Sequence, residues 1–153
     1  MVKKFGNKFC TFYVVRHGET EANVSRILQG HNDFPLTEEG KRQASELAKK
    51  FININFDHVF ASDLLRARRT AEIIVLEHKL LVITKKLLRE RTFGRFEGKT
   101  YAQYDQELRQ AILKFETLTE QEKFSFKFSQ DIESDEEIAR SMRYCPQESH
   151  RLL

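Results

Sequence analysis

Cysteine is scarce: Cys10 and Cys145 are the two in 153 residues. Two thiols build neither a disulfide framework nor a thiolate metal cluster, so a reducing, cytoplasmic setting is the simplest expectation. Apolar runs are short, none nearing the ~20 residues that cross a bilayer. Gly6, Asn7 and Lys8 interrupt the stretch where a secretory leader would carry its apolar core, so neither leader nor membrane partner is expected. Charge is not one-sided, with 26 basic against 23 acidic residues and a net charge of +3. That balance argues against a nucleic-acid partner. No internal repeat, low-complexity linker, carboxylate cluster or His/Cys spacing of a metal site is present, so no metal is expected. What is present, 40% hydrophobic and 32% charged residues, suits one soluble globular domain over 1–153.

The apolar residues are ordered. Residues 11–15, TFYVV, read as a buried strand ending on Arg16, His17 and Gly18. GETEANVSRILQG reads as a turn into a short helix closed by Gly30, and HNDFPL as loop. Thr37 caps the next helix, with Glu38 and Glu39 in its first turn, Lys49 and Lys50 in its last, and Ala44, Leu47, Ala48 and Phe51 on one face. DHVFAS is a second strand. Ser62 or Asp63 caps a helix with Ala67, Ala71 and Ile74 inward, and LLVITKKLL is a third strand. This alternation predicts an α/β fold, a mainly parallel sheet covered by helices, with ligands bound beyond the carboxyl ends of the strands. A long amphipathic helix follows over Thr100 to Glu116. LTEQEKFSFKF fits either a strand, through alternating Phe124, Phe126 and Phe128, or an ordered loop. Ser134 and Glu137 form a capping box for a last helix beginning at Asp135.

Three candidate groups follow three successive predicted strands. His17 follows the first, beside Arg16. Alone, such a histidine is as readily a hydrogen-bonded surface residue as a catalytic one. An uncharged imidazole can, however, take a phosphoryl group. Neighbouring guanidinium groups keep it uncharged and also neutralise phosphoryl oxygens through two-pronged hydrogen bonds. Gly18 would let the backbone approach a ligand closely. Arg66 follows the second strand near a helix start, with Arg68 and Arg69 close by; alone, this triplet reads equally as a solvated helix face. Glu90 follows the third strand, where a carboxyl group could protonate a leaving oxygen, or simply pair with Arg89 or Arg91. Phosphoryl transfer is largely positioning and charge stabilisation, and the set would supply both without a metal.

VVRHGETEAN, LQGHNDFPLTEEGKRQA, FASDLLRARRTAEII and LLRERTFGRFEGKT, in this order, resemble the histidine phosphatase superfamily in its phosphoglycerate mutase-like branch. The likeness covers about residues 11–142. RERTFGRFEGK looks most like small cytosolic phosphatases and the fructose-2,6-bisphosphatase type related to TIGAR. The resemblance implies a doubly wound sheet with helices on both faces and no cofactor. It implies that His17 is the phosphohistidine nucleophile, Glu90 the proton donor, and Arg16 and Arg66 the phosphate ligands. Asn23 would be a further phosphate contact, and Gln29 and Gly30 would lie near the substrate.

The family's second catalytic histidine stands on a later strand, at the end of an apolar–Ser–His–Gly motif. This sequence has no such strand. His150 follows Ser149, but Pro146, Gln147 and Glu148 precede them and Arg151 stands where the motif has glycine. The expectation is therefore a domain lacking the C-terminal part of the fold, with a divergent tail over 143–153 and impaired turnover. The expected activity is metal-independent hydrolysis of a small phosphorylated metabolite, such as a sugar bisphosphate. Mutase activity fits less well, since a mutase must shield its phosphohistidine from water. A non-catalytic phospholigand-binding or regulatory protein, and a fragment without function of its own, are the other readings. The oligomeric state is left open.

Overall fold

The computed structural model describes residues 11–143. Cys10, Cys145 and His150 lie outside them. Two strands, β1 (Val59–Ala61) and β2 (Val82–Thr84), pair in parallel with Phe60 opposite Ile83. Helix α3 (Leu65–Ile74) makes the crossover between them. Helix α2 (Glu38–Phe51) packs on α3. Its expected caps are in place: Thr37 accepts from the Gly40 N–H at 3.0 Å, and the acidic and basic ends follow the helix dipole. The apolar stripe of α2 meets Ile74 of α3, Val75 at its C-terminal cap, and Val59 and Val82 from the sheet, forming one core around buried Ala44. The fold is thus mixed α/β, a parallel sheet flanked by helices.

A second core is built around Leu28, Phe96, Leu108 and Ile132, with Phe93, Tyr104, Ile112 and Phe128 packed against it. Leu108 comes from α4 (Tyr101–Glu116), whose Thr100–Gln103 capping box is intact. Backbone bonds from Leu28 N to Lys99 O and from Gly98 N to Leu28 O, both 2.9 Å, tie the two chain segments together. Short helix α1 (Glu21–Val24) starts on buried Thr20.

Several expectations are corrected. Residues 11–15 form no ladder among the described residues. Exposure alternates along them, from Phe12 at 82% and Val14 at 95% to Tyr13 at 48% and Val15 at 39%, the mark of an extended chain with one side covered. Tyr13 lies edge-to-face on Phe51 and Phe56. An apolar, β-branched run becomes a strand only where neighbouring backbone groups pair with it. Helix α1 ends at Ser25, so Gly30 does not close it. Neither Ser62 nor Asp63 is the N-cap residue of α3: that position is Leu64, and Asp33 from a distant loop accepts from Leu65 N at 2.7 Å. The buried stripe of α3 runs through Arg66, Thr70 and Ile74 instead of Ala67 and Ala71. Residues Glu120–Ser125 are helical (α5), neither strand nor loop, because Thr119 and Glu122 form a capping box. The last helix, α6 (Asp135–Arg143), follows its expected box, Glu137 N donating to Ser134 Oγ at 3.3 Å.

Candidate active site

The turn after residues 11–15 is clamped against the start of α2. Thr37 N donates to Glu19 O at 3.0 Å, and Thr37 Oγ1 donates to the Glu19 carboxylate at 2.7 Å. A Cβ on Gly18 would lie 2.4 Å from Gly40 O, and one on Gly40 would lie 2.1 Å from Glu19 O. The missing side chain at Gly18 therefore serves helix packing, not the approach of a ligand as its sequence position suggested. Gly18 N donates to Thr70 Oγ1 at 3.0 Å, and that hydroxyl donates to Arg66 O at 2.7 Å. Thr70 thus couples the turn to α3. Sequence reading passed over it, although it lies one helical turn beyond Arg66.

His17 sits half-buried at this turn, with Nδ1 2.8 Å from Gly18 O. A carbonyl oxygen can only accept, so Nδ1 carries the proton and Nε2 keeps the lone pair of the neutral ring. Burial presses the imidazole pKa below its ordinary 6.5; the Gly18 carbonyl and Glu90 pull it up, while Arg66 and Arg16 add to the lowering. A cavity of about 320 Å³ is lined by Arg16, His17, Glu19, Asn23 and Gln43. The Asn23 side chain closes the α1 capping box, accepting from Thr20 N at 3.0 Å through Oδ1. Among the described residues its NH₂ group has no hydrogen-bond acceptor.

Arg66 is 1% exposed. Its guanidinium donates to Gly30 O at 2.7 Å and Asn32 O at 2.9 Å, and lies 3.5 Å from Glu90 Oε2. Burial lowers its pKa, opposed by Glu90, Asp33 and Glu97; an arginine stays charged in any case. Glu90 pairs with neither adjacent arginine. Arg89 makes a two-pronged bond to Asp63 at 2.7 and 2.6 Å, and Arg91 pairs with Asp135. Arg68 and Arg69 turn outward to Glu72 and do not join Arg66.

The candidates are distributed in two sets. Arg16, His17 and Asn23 share the cavity. Arg66, Gly30 and Glu90 form a second cluster, linked through Thr70 to Gly18 beside His17, and the charges of Arg66 and Glu90 act on the imidazole. Gln29 is buried, with Oε1 3.0 Å from Thr20 Oγ1. His31, read from sequence as a loop residue, bonds the Glu90 carbonyl at 2.9 Å. Among the described residues no group of three or more His, Cys, Asp and Glu is placed to hold a metal ion, and no helix is long and apolar enough to cross a membrane.

The family profile described as the histidine phosphatase superfamily, branch 1, matches residues 12–145. A probable phosphoglycerate mutase GpmB of Proteus mirabilis (strain HI4320) is 46% identical over 90 residues, 59% of this chain and 42% of that protein. The fructose-2,6-bisphosphatase TIGAR of Xenopus tropicalis is 43% identical over 91 residues, 56% of this chain and 33% of that protein. The matches with these curated relatives span less than half of their length. Among solved structures, YhfR of Bacillus stearothermophilus is similar with a TM-score of 0.71 and 31% identity, covering 82% of this chain and 60% of that one. A mycobacterial glucosyl-3-phosphoglycerate phosphatase complexed with VO3 gives 0.72 and 31%, covering 83% and 60%.

Proposed function

This chain belongs to the histidine phosphatase superfamily, and from that premise we propose that it hydrolyses small phosphorylated metabolites through a phosphohistidine at His17. The observation that carries the proposal is the 2.8 Å contact between His17 Nδ1 and Gly18 O: it assigns the proton to Nδ1 and leaves Nε2 a lone pair, on a ring whose pKa is lowered by burial and by Arg66 and Arg16. Nε2 attacks phosphorus as the bond to the leaving oxygen breaks, and the Glu90 carboxyl delivers its proton to that oxygen. Water then attacks the phosphohistidine, giving a proton to the Glu90 carboxylate while the P–N bond breaks and the imidazole is restored. Arg16, Arg66 and Asn23 spread the charge of the three phosphoryl oxygens.

Hydrolysis fits better than mutase chemistry because Arg16 is exposed and the Glu90 side chain is 47% exposed, whereas a mutase must shield its phosphohistidine from water. The relatives named as a fructose-2,6-bisphosphatase and a glucosyl-3-phosphoglycerate phosphatase support a sugar phosphate or sugar-linked phosphate as substrate class. A binding module without turnover is the second reading. It is favoured by one observation, that the cavity is lined by Arg16, His17 and Asn23 while Arg66 and Glu90 face each other beside it.

The test is incubation of the chain with a phosphomonoester carrying labelled phosphorus. Acid-labile, base-stable label on the protein that is lost in His17→Ala is the expected result. No label, with a thermal transition raised by inorganic phosphate, supports the binding module and overturns catalysis.

A further inference from the structure

We propose that His31 is a positioning residue for the carboxyl group of Glu90, an inference that rests on Glu90 being the proton donor. Glu90 stands in a stretch without regular structure, between a 3-10 turn at Lys86–Leu88 and another at Gly94–Phe96. No ladder fixes its peptide unit. What reaches that unit is His31, 59 positions earlier in the chain, whose Nε2 lies 2.9 Å from Glu90 O. The carbonyl accepts, so the imidazole donates from Nε2.

The residues on either side of His31 do the corresponding work for Arg66. Gly30 O and Asn32 O accept from its guanidinium at 2.7 and 2.9 Å. Three consecutive residues therefore grip both the buried cation and the carboxylate-bearing segment, and the 3.5 Å separation of Arg66 and Glu90 is set by that one turn. The turn is itself tightly determined. Asn32 N donates to Gln29 O at 2.9 Å, Gly30 has φ +53°, and a Cβ there would meet Glu97 Oε1 at 2.3 Å. The Asp63–Arg89 pair anchors the preceding residue and so fixes where the chain passes. Among the described residues the His31 bond is the one hydrogen bond to the Glu90 carbonyl; it fixes how that peptide is turned and so, together with the Arg66 contact, where the carboxyl group points. A general acid misplaced by an ångström loses much of its effect while the rest of the site is untouched.

This separates by leaving group. A 2,4-dinitrophenolate departs without a proton; an alkoxide does not. Labelling of the protein is followed in single turnover with 2,4-dinitrophenyl phosphate and with β-glycerophosphate. His31→Leu is expected to slow labelling from the alkyl ester about tenfold and from the aryl ester less than about twofold. His31→Gln, which keeps an N–H donor at similar reach, restores the alkyl rate to within about threefold. Equal losses on both esters, or no rescue by glutamine, overturn the proposal. Glu90→Gln is the control and should show the same dependence on leaving group, more strongly. If Glu90→Gln slows both esters alike, the proton-donor assignment fails and takes this inference with it. If it is selective and His31→Leu is not, only the role of His31 fails. No label from either ester with the unsubstituted chain overturns the proposed function and this inference together.

Discussion

The two ends of helix α3 present one continuous stripe but are held by different forces. At its C-terminal end Ile74 is packed among Ala44, Val75 and the sheet residues Val59 and Val82, so apolar burial secures it. At its N-terminal end Arg66 occupies the equivalent inward position, and there a charged group has to be taken out of water. Its burial is compensated by two backbone carbonyls from the Gly30–Asn32 turn and by the Glu90 carboxylate from a distant stretch of chain. Thr70, between them, is the junction where packing gives way to hydrogen bonding. The apolar end tolerates small shifts, because dispersion and burial are non-directional. The polar end does not, because each bond fixes an angle.

Substitutions along the stripe test that contrast. Arg66→Met keeps much of the bulk but leaves Gly30 O and Asn32 O without their donor. It should lower unfolding free energy in urea by about 3 kcal/mol and slow labelling of the protein about a thousandfold. Ile74→Ala opens a cavity at the other end and should cost about 2–3 kcal/mol in the same titration, with labelling changed less than about twofold at a temperature where the variant is folded. An equal effect of the two on labelling would break the contrast. Thr70→Val preserves shape and removes the hydroxyl from Gly18 N and Arg66 O, for about 1–2 kcal/mol and an intermediate loss of labelling.

The smallest effect concerns protons. The folded pKa of His17 lies below 6.5, so as pH falls through 6.5 the unfolded chain binds a proton before the folded one does. Stability therefore declines with falling pH in the window below 6.5, and levels off once the folded ring is also charged. In His17→Asn the urea midpoint should fall less between pH 7.5 and 5.5 than in the unsubstituted chain. Labelling by the unsubstituted chain should fall over the same window, as the lone pair is lost.

The contrast also explains what the sequence made legible. Helix α2 was readable to its caps, because Thr37, the acidic first turn, the basic last turn and the Ala44–Leu47–Phe51 spacing all agree. The parallel pairing of β1 and β2 followed from the helix between them. Residues 11–15 misled, because ladder formation depends on neighbours that a local pattern does not contain. The face of α3 misled because an inward arginine contradicts apolar periodicity, and only the Gly30 and Asn32 carbonyls make it acceptable. Three phenylalanines in alternation masked the Thr119–Glu122 box of α5. Arg16, His17 and Asn23 were picked out, and the structure gathers them around one cavity. Thr70 and His31 were not, since a hydroxyl or imidazole acting on a backbone atom tens of residues away leaves no local spacing to read.

Imidazole nitrogen correlation spectra of the chain with ¹⁵N-labelled histidine, with His17 assigned through His17→Gln, test the central claim most directly. The account predicts a ring neutral at pH 7, protonated on Nδ1 and bare on Nε2, which titrates below 6.5 and acquires phosphorus coupling on Nε2 after exposure to a phosphomonoester. A ring protonated on Nε2, or one that titrates at or above 6.5, would contradict it.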